Sequence, residues 1–267
     1  MPLPKTEREV YEHNPLEEVI CQLRFPTILQ VTAESPAQFQ NAIRDIYPLY
    51  REDQPAPGIP TGPGIPKVLA DILGGLQFPV VHQHPEHKFL TVDQTRLVSL
   101  TRDFIAVTEK KYRRWENFRE EIKHAESAFR EIYKPSFYSR IGLRYRDVLD
   151  RDRLGLEGRA WAELLNPSFI GELGAQSIAD EVEDIRTRSV VRLPDVENGR
   201  VLIQHGLIKS TDNGRQVYTV DADFYTTQRS ELDDAFQILD VFNQWGGRLF
   251  RWVITPKLRE ALGPSRI

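Results

Sequence analysis

Residues 18–25 read Glu-Val-Ile-Cys-Gln-Leu-Arg-Phe, and residues 140–148 read Arg-Ile-Gly-Leu-Arg-Tyr-Arg-Asp-Val. Leu23-Arg24-Phe25 of the first stretch returns as Leu143-Arg144-Tyr145 of the second, 120 positions later. Asp103-Phe104 returns at the same spacing as Asp223-Phe224. Just before that second pair, Val98-Ser99-Leu100 and Tyr218-Thr219-Val220 are both strand-like runs, and a long amphipathic helical pattern follows each. Two matches at one offset, in one order and with the same element after them, predict an internal duplication, residues 1–134 and 135–267, sharing one sheet.

In the first half, Val19, Cys21, Leu23 and Phe25 alternate with polar residues at the period of a half-buried strand. Ser35-Pro36 opens a short helix to about Tyr47. Pro55 to Pro66 is a loop of polyproline character, because eight of its twelve residues are Pro or Gly. Strand-like runs follow at 76–82, 87–92, 96–100 and 104–108. A helix is then predicted from about Lys110 to Tyr133, with Tyr112, Trp115, Phe118, Ile122, Ala125, Phe129 and Ile132 as its apolar stripe. The second half repeats the order. It has a strand from Arg140 to Val148, a short helix near 159–165, and a loop at 171–180. Strands follow near 183–193, 200–208 and 216–225, with Asn213-Gly214 as a hairpin turn. Ser230-x-x-Asp233 reads as a capping box for a helix that Gly246-Gly247 ends near Trp245, with Leu232, Phe236, Leu239 and Phe242 as its stripe. A last strand at 249–254 and a short helix behind Pro256 complete the chain. Antiparallel strands with helices gathered on one face give an α+β fold.

The chain carries 35 basic and 39 acidic residues, so it is not a globally basic nucleic-acid binder, although a local basic face remains open. A single cysteine, Cys21, excludes an intrachain disulfide and a cysteine-rich metal site. No apolar run has the length of a membrane span, and residues 1–10 lack the apolar core of a signal peptide. A cytoplasmic setting is expected, with no membrane association.

Asn14-Pro15-Leu16-Glu17-Glu18-Val19-Ile20 followed by Leu23-Arg24-Phe25 is a distinctive run. Together with Tyr112-x-x-Trp115-x-x-Phe118 and Ile141-Gly142-Leu143-Arg144-Tyr145, it resembles a sporadically distributed family of uncharacterised bacterial proteins of similar length. The resemblance covers most of the chain and brings no catalytic residue with it. The patchy distribution implies accessory genes, as in defence or toxin–antitoxin modules. In element order the chain is similar to the saddle of the TATA-box-binding protein and to helix-grip folds, an analogy of fold alone.

Strand parity points to one candidate surface. If Ile141, Leu143 and Tyr145 face the helices, then Arg140, Arg144 and Arg146 share the other face. Arg186, Arg188 and Arg192 share one parity in a later strand, and Arg24 is the counterpart of Arg144. Guanidinium forks suit phosphate and carboxylate, so the expected function is non-catalytic binding of an anion: nucleic acid, a nucleotide or an acidic protein. The competing reading is that these arginines pair with acids, Asp147, Asp150, Asp152, Glu181 and Glu183 being near in sequence.

His82, His84 and His87 form the alternative, a metal-dependent hydrolase site whose three imidazoles could hold zinc, though no metal motif accompanies them and no cofactor is expected. A third reading is an oligomerisation or partner protein docking through the Pro55–Pro66 loop. Lys110 to Arg114 reads as the solvated basic side of a helix, and Asp103 and Asp223 as turn-forming acids.

Overall fold

The computed structural model describes residues 3, 7–54, 85–210 and 214–266. The strands are β1 (Glu9–Tyr11), β2 (Leu16–Arg24), β3 (Leu49–Asp53), β4 (Glu86–Leu90), β5 (Arg96–Leu100), β6 (Phe104–Glu109), β7 (Arg140–Leu149), β8 (Thr187–Arg192), β9 (Arg200–Lys209), β10 (Gln216–Thr226) and β11 (Pro264–Arg266). Nine of them form one antiparallel sheet in the order β3-β4-β5-β6-β2-β7-β10-β9-β8, while β1 pairs with β11 in a separate ribbon. Short helices α1 (Gln30–Ala33) and α2 (Ala37–Ile43) follow β2, and α4 (Trp161–Leu164) and α5 (Pro167–Ile170) follow β7. The long helices α3 (Trp115–Tyr133) and α6 (Ala235–Val253) close the two halves, and α7 (Pro256–Ala261) precedes β11. The fold is α+β, as the periods predict.

Strands β2 and β7 sit side by side at the centre, each flanked by the last strand of its own half, β6 and β10. Gln22 faces Gly142, two pairs in from the Arg24–Arg140 end of the β2–β7 ladder. Those two positions have the spacing of the Leu23 and Leu143 match, which places that match symmetrically about the crossing. The Asp103 and Asp223 match does not fall into register. Arg24 faces Phe104, whereas Arg144 faces Asp223. Asp103 lies in the β5–β6 turn, where it accepts a 2.6 Å hydrogen bond from Thr27, and Asp223 lies inside β10. The ribbon also ties residues 9–11 to the C-terminal segment, so the first 134 residues are not a self-contained half.

One sheet face carries the core. Val19, Cys21, Leu23, Ile141, Leu143, Val220 and Phe224 point to it and meet Phe118, Ile122 and Phe129 of α3 and Leu239 and Phe242 of α6. Burial raises the Cys21 thiol above its usual range, which keeps it protonated and inert. The helices are joined to each other by Trp115 donating to Asp240 at 2.7 Å and by Arg119, which pairs with Asp240 and lies over the Phe236 ring. No helix among the described residues is long and apolar enough to cross a membrane.

Several local expectations are corrected. Gly246-Gly247 does not end α6, which runs on to Val253 and replaces the strand expected at 249–254. Gly246 is there for close approach: a Cβ would sit 2.8 Å from the Tyr145 ring. The long helix α3 starts at Trp115 rather than Lys110. The residues before it are drawn into extended chain by the Lys110 amide bonding Thr95 and by Asn14 holding the Tyr112 carbonyl. Ser230 does not cap α6, because its hydroxyl bonds Gln228, and Asp233 instead pairs with Arg130. Asn166-Pro167 starts α5, with Asn166 capping the Ser168 amide. Strand β3, exposed along nearly all its length, has no apolar alternation to mark it, and Leu232 and Phe236 are only half-buried. The strand expected at 76–82, the Pro55–Pro66 loop and Asn213 lie outside the described residues.

Candidate functional site

The predicted parity of the arginines is correct. In the register, Arg140, Arg144 and Arg146 of β7 share the helix-free face with Arg24, Arg188 and Arg192. The same face also supplies their partners. Arg140 forks onto both oxygens of Asp223 at 3.0 and 2.8 Å and bonds Gln22 at 3.1 Å. Arg144 forks onto Asp221, and Arg146 pairs with Glu17 and Glu18. Arg186 precedes β8 and pairs with Asp184. The central ladder is thus internally neutralised, and the acids responsible are not those nearest in sequence. Arg24, Arg188 and Arg192 remain exposed with no ion-pair partner among the described residues.

His82 and His84 lie outside the described residues. His87 is buried on the core side of β4, its ring nitrogens 3.0 Å from the Tyr50 hydroxyl and 3.3 Å from the Val31 carbonyl. Both nitrogens are therefore occupied. Among the described residues no three His, Cys, Asp or Glu side chains are placed to share a metal.

Sequence reasoning missed a cavity of about 620 Å³ on the other side of the sheet. Its walls are the N-terminal segment from Glu7 to Leu16, the entry to α3 from Tyr112 to Trp115, the inward side chains of β7, and α6 from Asp240 to Arg251. The β7 alternation that turns Leu143 and Tyr145 inward turns Asp147 inward too. Tyr145 rests on Gly246 and donates to Asn243 at 2.9 Å, with the Tyr112 ring edge-on to it at 6.1 Å.

The electrostatics of this cavity are uneven. Asp147 is only 8% exposed, and it has neither hydrogen bond nor ion pair among the described residues. Burial, with a smaller push from the Asp221 charge, raises its pKa to about 8. At neutral pH it is mostly a neutral acid. Arg8 pairs with Glu116, and Arg251 with Glu9, which Arg259 also grips. Arg251 still has one buried nitrogen, Nη1, without an acceptor among the described residues. Arg113, Arg114 and Arg248 line the cavity with no carboxylate at ion-pair distance among the described residues. Arg114 is also the N-cap of α3, and its side chain makes no capping bond. The start of this nineteen-residue helix thus lies at the cavity wall, with Glu116 of its first turn neutralised by Arg8.

The chain matches no family model, and no curated protein matches it.

Proposed function

We propose that this chain is a non-catalytic binding protein for a small anionic ligand, held in the cavity at the start of α3. One observation carries the reading: three arginines without carboxylate partners among the described residues line a cavity beside a helix N-terminus. Helix N-termini favour anions through their free amides and the macrodipole, and guanidinium groups bind phosphate and carboxylate. A volume of about 620 Å³ falls in the range of small-ligand sites, roughly 300–1,000 Å³. Because Asp147 is mostly neutral, it does not cancel this positive wall.

Thermal unfolding in inorganic phosphate tests the reading. A ligand at about 100 times its Kd stabilises the native state by about 2.7 kcal/mol, so phosphate should raise the unfolding temperature. The double variant Arg114→Gln/Arg248→Gln should unfold like the parent without phosphate and lose the response to it. An undiminished response in that variant contradicts the proposal.

A second reading keeps the sheet face as a site for nucleic acid or an acidic protein. It is favoured by Arg192 standing directly opposite Arg200 across the β8–β9 ladder, a like-charge pair that a polyanion would relieve. Charge reversal must be made at Arg188 and Arg192, since Arg144 is tied to Asp221. Salt-sensitive binding of mixed-sequence DNA that survives Arg188→Glu/Arg192→Glu removes this reading.

We also infer that the two halves arose by duplication, supported by the strand order about β2 and β7 and by the Gln22–Gly142 crossing. Kinship with the TATA-box-binding saddle or a helix-grip fold rests on element order. A role as an accessory in bacterial defence rests on the sequence motifs. A cytoplasmic location is supported by the single, buried cysteine.

A further inference from the structure

We infer that the ligand of this cavity is a nucleotide, with its phosphate at the α3 N-terminus beside Arg114 and Arg248 and its base edge on the Asp147 carboxyl. The inference rests on the anionic-ligand reading and adds the second half of the ligand. Its starting point is that Asp147 is more than nine-tenths buried, faces the cavity, and is unpartnered among the described residues. Folded proteins rarely leave such a group unpaired, because it has given up water without gaining a partner. The hydroxyl of Tyr145, two residues earlier on the same strand face, is committed to Asn243. The structure therefore holds a polar group that a bound partner would satisfy.

The form of that group selects the partner. Burial keeps Asp147 protonated through neutral pH. A neutral carboxyl presents one O–H donor beside one carbonyl acceptor, whereas a carboxylate presents acceptors alone. A side-by-side donor and acceptor is the complement of a nucleobase edge, as the side-chain amides of Asn and Gln show with adenine. Tyr112, Trp115 and Phe250 line the same cavity and supply aromatic surface for a planar ring. A bare inorganic anion would answer the arginines but leave Asp147 unpaired. A neutral heterocycle would answer Asp147 but not the arginines. A nucleotide answers both.

Calorimetric titration at pH 7 with AMP, GMP, CMP, UMP, ribose 5-phosphate and inorganic phosphate separates the possibilities. The expected result is that at least one nucleotide binds ten-fold or more tighter than ribose 5-phosphate. That advantage should vanish in Asp147→Leu and persist in Asp147→Asn, whose amide keeps the donor and acceptor. Ribose 5-phosphate should bind the parent and both variants alike. If all four nucleotides bind no tighter than ribose 5-phosphate, the nucleotide inference is overturned while the anionic-ligand reading stands. A nucleotide advantage that survives Asp147→Leu overturns the role of Asp147. If none of the six phosphates binds, both readings fall.

Discussion

Replacing Asp147 by asparagine will raise the unfolding temperature, and the gain will grow with pH. In the unfolded chain the carboxyl titrates near 3.8, and in the folded protein near 8, chiefly because it is buried. Between those values the folded state holds a proton that the unfolded state has lost. Stability from this group is therefore present in full below about pH 4, falls as pH rises, and has gone by about pH 8. Linkage gives a loss of up to about 1.4 kcal/mol per pH unit within that window. The asparagine amide has similar shape and no charge. The difference between Asp147→Asn and the parent should thus be small below pH 4, reach about 1–2 kcal/mol at pH 5 and about 5 kcal/mol at pH 9. Urea unfolding at a series of pH values measures it, and other titrating groups cancel in the difference. A difference that does not change with pH would mean that Asp147 is not buried as a neutral acid.

Replacing Arg140 by methionine will destabilise the fold by about 3 kcal/mol, because it strands the Asp223 carboxylate. The Arg140 guanidinium forks onto Asp223, bonds Gln22, and lies against Gly142, where a Cβ would come within 2.3 Å of it. Its side chain is 18% exposed and that of Asp223 24%. Burial already pushes the Asp223 pKa up, against the opposing pull of Arg140. Arg144 still neighbours Asp223, so the loss should fall at the low end for a buried pair. In a chain of this size that lowers the unfolding temperature by roughly 6–12 °C. The paired replacement Arg140→Met/Asp223→Leu should recover most of the loss. Phosphate binding by the folded variant should be unchanged. Full stability of Arg140→Met together with lost phosphate binding would make Arg140 a ligand residue, contrary to the account.

These arginines show what the sequence discloses and what it hides. The alternation of Ile141, Leu143 and Tyr145 was enough to place Arg140, Arg144 and Arg146 on one face. It could not show that β10 would lie beside β7 and bring Asp221 and Asp223 opposite them, since strand neighbours are set by tertiary pairing. The same alternation did carry the signal for Asp147, two residues past Tyr145 and of the same parity. Its place among the acids near the arginines in sequence obscured that signal. Gly246-Gly247 misled for a related reason. Glycine weakens an isolated helix, but here Gly246 accommodates the Tyr145 ring, a contact 101 positions away. The cavity is built from four separated segments, the N-terminus, the α3 entry, β7 and α6, and no one of them carries a motif for it.

Amide chemical-shift mapping of the isotope-labelled protein, titrated with inorganic phosphate, tests most directly where an anion sits. The account predicts that the perturbed amides cluster at residues 113–118, the start of α3, with smaller shifts along α6 near Arg248. Perturbations centred instead on Arg188 to Arg200 of β8 and β9, with the α3 start unmoved, would contradict it.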